Sequence, residues 1–293
     1  MPDGLLCLLA FLIAAAVATP QVTTRLQPLL MLGSMLAGLV TLNILPALPP
    51  ASAADRFLCL LPLLALADCC RTTNTRRFTT LPNMLVLTAI VPTVLFRSVW
   101  LIQPASQTIL GITPTGWLLL LGLTPLPVAL ALILQRLAAP SRYPDVAASL
   151  NLCLLCCLLC TGLAITLGGY LKGGLLALPL AGSLLPTALR KALGNSHAHS
   201  DLPLTLGWGS LISLLLIGGF FGRLTPIQCA CFATIPLLTA LPFPPRFIPR
   251  NSRRQILLRI TTTALLCGLL LAHAWTVFAV RMLPLLASQN TPP

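Results

Sequence analysis

Long apolar runs broken only by short basic loops constrain this chain more than any other feature. A helix that crosses a bilayer needs about 20 predominantly apolar residues, with a range of roughly 17 to 25. Ten such runs, some short, are readable at 4–19, 27–47, 56–70, 81–102, 116–136, 147–169, 174–189, 202–222, 225–244 and 255–279. A soluble domain carries roughly 25% charged residues; here the share is 8%, against 57% hydrophobic. The expected fold class is all-α: a polytopic integral membrane helical bundle of about 8–10 transmembrane helices. It is expected to form a single membrane domain over residues 1–293. Met1-Pro2-Asp3 lead straight into the first run without the basic segment of a secretory signal peptide, so that run is expected to be retained. Pro62, Pro92, Pro125, Pro127, Pro179 and Pro236 fall within the runs and are expected to kink them.

The net charge of +13 does not imply nucleic acid. A nucleic-acid surface needs a folded basic domain with interleaved aromatics, and no stretch here is long or polar enough to supply one. The Lys and Arg residues instead alternate between loops. Arg25, then Arg71, Arg76 and Arg77, then Arg136 and Arg142, then Arg190 and Lys191, then Arg246, Arg250, Arg253 and Arg254 make 12 on one side. Arg56, Lys172, Arg223 and Arg281 make 4 on the other, with Arg97 and Arg259 assigned to spans. The positive-inside rule puts the richer loops in the cytoplasm and both termini outside.

Among 11 cysteines, Cys153, Cys156, Cys157 and Cys160 recur at i, i+3, i+4 and i+7. That spacing shares one helix face, so it reads as a stripe of small residues for helix packing. Zinc pairs sit on turns with polar neighbours, which these lack.

All five acidic residues are Asp. Asp3 is N-terminal, Asp55 sits among Ala and Arg before a span, and Asp145 is in a loop. Asp68 ends the third run and Asp201 opens the eighth, and both reach the basic, cytoplasmic side. Carboxylates bordering a membrane interior are costly to place and are usually retained for function. Two other readings stay open: Asp68 paired with Arg71 or hydrated at the interface, and Asp201 as a helix N-cap after Ser200.

Ala67-Asp68, a basic loop and then Leu81-Pro82-Asn83-Met84 resemble the first active-site motif of the type IV prepilin peptidases. His199-Ser200-Asp201, followed by a small-residue run through Gly207 and Gly209, resembles the second, Gly-x-Gly-Asp. Both glycines of that motif are replaced here, leaving His199 and Ser200 before Asp201, and Pro203 stands where a Lys is common. The resemblance covers about 35 residues around Asp68 and about 25 around Asp201. It implies an intramembrane aspartic endopeptidase with Asp68 and Asp201 as the catalytic pair and no cofactor. Residues 56–222 would form the catalytic core, and the partner would be the leader of a type IV pilin or pseudopilin precursor at the cytoplasmic face of the inner or plasma membrane. The four-Cys zinc domain of the bifunctional, N-methylating members is not seen.

Two carboxylates close together share a proton, so one can act as general base on water while the other polarises the carbonyl. His197, His199 and Asp201, in the order His-x-His-x-Asp, form an alternative metal-binding set. His273, alone in the last span, reads as a packed or interfacial residue. The rival class is a non-enzymatic membrane subunit or a transporter of a pilus or secretion system. Besides a peptide partner, membrane lipid is expected around the bundle.

Overall fold

A computed structural model describes residues 2–18, 27–71, 80–102, 112–137, 144–192, 204–241 and 252–289. Among these the chain is helical throughout, in twelve segments: α1 (Pro2–Val17), α2 (Gln27–Thr41), α3 (Ala53–Arg71), α4 (Thr80–Leu95), α5 (Pro114–Leu123), α6 (Pro125–Leu137), α7 (Pro144–Leu167), α8 (Leu171–Leu175), α9 (Ala177–Ala192), α10 (Leu204–Phe220), α11 (Pro226–Ala240) and α12 (Ser252–Gln289). Thr124 and Leu176 keep helical backbone angles, so α5 with α6 and α8 with α9 make two continuous rods. Ten rods result, one for each apolar run.

Four stretches are long and apolar enough to cross a membrane: Pro114–Leu137, Ser149–Leu167, Leu171–Arg190 and Arg254–Val280. Large apolar side chains stand exposed along the outside, among them Leu5, Leu85, Leu118, Leu121, Leu265 and Leu269. Charged and amide groups (Asp55, Asp68, Asn83, Asn151, Arg259) are buried. An apolar exterior over a polar-studded interior is the arrangement of an integral membrane protein, where lipid is the outer solvent.

α10 is the axis of the bundle, with every residue from Leu204 to Gly218 buried. It packs against α3, α4, α7 and α11. Its glycines let neighbours approach: a Cβ on Gly209 would lie 2.7 Å from Leu64 of α3 and 3.4 Å from Ile90 of α4. Small residues serve this purpose in membranes, where no hydrophobic force drives one helix onto another. On α7, Leu154 meets Gly207 and Ile165 meets Gly218. Both intervals are eleven residues, so α7 and α10 run parallel and in register. α12 lies along α7 and, among its residues of described burial, buries Ile256, Arg259, Thr263, Cys267 and Ala274, one stripe at helical spacing.

Several span limits differ from the sequence reading. α2 stops at Thr41 because Asn43 takes a left-handed conformation, φ 55°. The N–H of Ile44 then donates to Leu39 O and that of Asn43 to Val40 O, which is a Schellman closure. α4 stops at Leu95, and Arg97, with φ 52°, belongs to the following turn rather than to a span. α12 continues to Gln289 and takes in Arg281. Pro62, Pro92 and Pro236 are inside helices, as is Pro186. Pro125 and Pro127 instead sit just after Thr124, and Pro179 just after Leu176, at the joins within the two continuous rods, where each removes a main-chain donor.

Candidate functional site

The C-terminal end of α3 meets the N-terminal end of α10. The first turn of a helix has N–H groups with no partner inside the helix. Here Asp68 supplies one from outside: Oδ1 accepts the N–H of Thr205 at 3.1 Å and Oδ2 that of Leu206 at 2.7 Å. The carboxylate is only 2% exposed. It therefore caps α10 across a helix–helix interface, and the positive end of the α10 dipole suits its charge. The sequence reading left open a pairing with Arg71 or hydration at the interface; main-chain donors of α10 are among its partners.

Register shows what surrounds this cap. Leu64 is level with Gly209, and Asp68 and Thr205 each lie four residues further toward the same end. Asn151 precedes Leu154 by three residues, which brings it level with Leu204. Asn83 precedes Ile90 by seven residues, two turns on the same face, or about 10.5 Å along α4. It lies about one turn beyond Asp68. Asn83, Asn151 and Thr205 are each 1% exposed. Asn83 Oδ1, Asn151 Nδ2 and Thr205 Oγ1 have no hydrogen-bond partner. Asn83 of α4 lies on the side of α10 where Gly209 meets Leu64 and Ile90, and Asn151 of α7 on the opposite side, where Gly207 meets Leu154. Asn83 entered the sequence reading only as part of a motif, and Asn151, inside an apolar run, was missed.

Asp201, His197 and His199 lie outside the described residues, as do most of the loops 71–80, 190–200 and 246–254. Among the described residues no group of three His, Cys or acidic side chains is arranged to hold a metal.

A second buried carboxylate occupies the opposite end of α3. Asp55 Oδ1 accepts from Lys172 Nζ at 2.7 Å, and Oδ2 accepts from Ser52 Oγ at 2.6 Å and Ser52 N at 3.0 Å. Ser52 Oγ in turn accepts from Asp55 N at 3.1 Å. This is a reciprocal capping box, with Lys172 added from the start of α8. Arg56 Nε donates to Ser52 O at 3.2 Å, and its guanidinium lies 6.0 Å from the Phe221 ring centroid. The sequence reading set Asp55 aside; the Ser52-Ala-Ala-Asp55 spacing was the legible sign of its role. Trp100 Nε1 donates to Phe220 O at 3.1 Å, so residues 52–56, 98–101, 170–172 and 220–222 share this face. The turns here carry Arg56, Arg97, Lys172 and Arg223, and the ends joined by the more basic loops lie at the Asp68 face.

The cysteine stripe of α7 faces α12. Cys157 Sγ is 3.8 Å from Cys267 Sγ, and Thr263 Oγ1 donates to Cys153 Sγ at 3.1 Å. Nearby, Arg259 Nη1 donates to Thr239 O in the last turn of α11, where a cation complements the helix dipole. His273 is exposed on α12, not packed inside the bundle.

No family model, no curated protein and no solved structure matches this chain. The resemblance to the prepilin peptidases rests on the two Asp motifs alone.

Proposed function

We propose that this chain is an intramembrane aspartic endopeptidase of the prepilin-peptidase kind, cutting the leader of pilin-like precursors. The observation that supports this most is the contact of Asp68 with Thr205 and Leu206. Asp201 precedes Thr205 by four residues, and a chain spans at most about 3.6 Å per residue. Covalent connectivity alone therefore limits the separation of Asp201 from Thr205 to about 14 Å, which is compatible with a shared site. In this reading the ionised carboxylate of the pair removes a proton from water as the oxygen attacks the scissile carbonyl. The protonated one polarises that carbonyl and then protonates the leaving amine. No cofactor is needed. The basic loops joined at this end assign it to the cytoplasm by the positive-inside rule, and the exposed apolar exterior is the lipid-facing surface.

A second reading is favoured by the same hydrogen bonds. Both Asp68 oxygens already accept main-chain donors, which is a sufficient structural reason for a buried carboxylate in a non-enzymatic membrane subunit.

The experiment uses the purified chain in lipid nanodiscs and a synthetic pilin-like precursor, a short Lys-rich leader joined to an apolar helix. One cut at that junction is expected. Asp201→Asn should slow it at least about a hundredfold, the usual contribution of general acid–base groups, without changing thermal stability. Cleavage by Asp201→Asn at the wild-type rate, or none by the wild type, overturns the peptidase reading.

A further inference from the structure

At the Asp55 face a recess opens between the end of α7, the turn joining α10 to α11, and the flanks of α11 and α12. Leu167 and Phe278 give it apolar walls, and Arg223 and Gln228 are its polar lining. We propose that it seats an anionic phospholipid, with the phosphate on Arg223 and Gln228 and one acyl chain along the α7–α12 seam. The inference stands on this geometry and is independent of the peptidase reading.

The polar lining consists of donors. Arg223 is exposed, and its guanidinium has no acidic partner among the described residues. Gln228 is 5% exposed and stands at N3 of α11. Its Oε1 accepts the N–H of Thr225 at 2.9 Å, and its own main-chain N–H donates to Thr225 Oγ1 at 3.2 Å. That capping box fixes the orientation of the amide, so the NH2 is the end left to face the recess. It has no acceptor among the described residues. The first turn of α11 adds the positive end of a helix dipole. No carboxylate lines the recess, so a cation finds nothing here to hold it, whereas an oxyanion meets a guanidinium fork and an amide donor. Gly168 brings these parts together. A Cβ there would lie 3.2 Å from Arg223 N, so its absence lets the turn that carries Arg223 close onto the end of α7.

Size and setting choose the anion. The recess is shallow, about 30 Å³, where a single water needs at least about 10–15 Å³. One or two phosphate oxygens fit, and a whole metabolite does not. A lipid needs no more, since it lies on the protein with most of its length outside. α12 runs parallel to α7, because Cys153 meets Thr263 and Cys157 meets Cys267. Phe278 is therefore at the same end as Gly168, and Ala274, one turn inward, is small enough to leave a groove for a chain. The donors sit at the end of the bundle, level with headgroups, and the apolar wall runs from them toward the bilayer interior. This face carries Arg56, Arg97, Lys172 and Arg223 against Asp55, which Lys172 already pairs. A headgroup with its own cation, such as choline, is disfavoured there.

The test titrates dioleoyl phosphatidylglycerol or phosphatidylcholine into the purified full chain in a non-ionic detergent. Bound lipid is counted by native mass spectrometry, with thermal melting recorded in parallel. The variants are Arg223→Gln, Gln228→Glu and, as a control for general surface charge, Arg97→Gln. Glu at 228 still accepts from Thr225 and keeps the cap, but it lacks the NH2 and adds a negative charge. Wild type should hold one phosphatidylglycerol at least about tenfold more tightly than phosphatidylcholine and melt higher in its presence. Arg223→Gln and Gln228→Glu should each lose about tenfold or more in affinity, the worth of one charge-assisted hydrogen bond, with unchanged melting in the absence of lipid. Arg97→Gln should bind as wild type does, and excess inorganic phosphate should not displace the lipid.

Equal binding of the two lipids overturns the proposal, as do affinities within about twofold of wild type in Arg223→Gln and Gln228→Glu. An equal loss in Arg97→Gln overturns it too, since the face would then act as diffuse charge. Displacement by inorganic phosphate would show an anion site without a lipid and also overturns it. Should Gln228→Glu melt lower without lipid, Arg223→Gln alone decides, its side chain being exposed and making no structural bond among the described residues.

Discussion

Replacing Asp68 by Asn separates its capping role from any chemistry, and its cost can be worked from the two hydrogen bonds. An amide keeps the shape of the carboxylate but has one acceptor oxygen. It can retain the N–H of Thr205 or that of Leu206, and its NH2 then points at the other donor. A hydrogen bond to a charged group contributes about 1.5–3 kcal/mol, and one of the two is lost. The survivor becomes neutral and weakens to roughly half. Loss of the charge at the helix N-terminus removes about 0.3–1 kcal/mol more. The total is about 2.5–5.5 kcal/mol, or a fall in melting temperature of roughly 5–20 °C for a chain of this size. Asp68→Ala should cost at least as much, since both acceptors go and a cavity is left. The assay is thermal unfolding in a mild detergent, followed by intrinsic tryptophan fluorescence. Trp208 is suited to it, being fully buried on α10 with its Nε1 donating to Pro127 O at 3.0 Å. An Asn variant that melts within 1 °C of wild type would refute the capping argument. A full temperature loss with residual cleavage would leave Asp68 structural and nothing more.

Lys172→Met should destabilise by about 2 kcal/mol. That lies between the 3–5 kcal/mol for breaking a buried pair and the 0–1 kcal/mol of a surface pair, because Asp55 is buried while the Lys172 side chain is 40% exposed. The double change Asp55→Asn with Lys172→Met should recover part of the loss in the same melting assay. Gly162→Ala should cost about 1–3 kcal/mol by overpacking, since its Cβ would lie 2.3 Å from Ala177 Cβ and 2.8 Å from Gly174 O. Gly122→Ala, which meets nothing within 4 Å, should be neutral or stabilising by up to about 1 kcal/mol.

The rods were legible because hydropathy reports solvent directly. An apolar run long enough to span must be a helix in lipid, whatever its neighbours. The helix ends were harder to read. Asn43 and Arg97 end their helices by adopting positive φ, which Arg in particular does not advertise. The interior was least legible. α10 is apolar or small on every face, so no periodicity marks which side meets α3 and which meets α7. Asn151 sits in an apolar run with nothing local to show that it faces α10. Asp55 was readable through its capping box, yet its Lys172 partner is 117 residues away. That pairing is a property of the fold rather than of any segment.

The two buried carboxylates of α3 have one mechanical consequence. Asp55 and Asp68 are thirteen residues apart on one helix, about 20 Å along its axis. One is tied to Lys172 at the α7–α8 turn and the other to the first turn of α10. Sliding α3 along α10 by one residue, about 1.5 Å, would stretch both Asp68 bonds, the shorter being 2.7 Å, beyond hydrogen-bonding range. Helix association in lipid lacks a hydrophobic driving force, so these polar ties and the contact at Gly209 set the register. The wall formed by α3 and the start of α10 is therefore rigid.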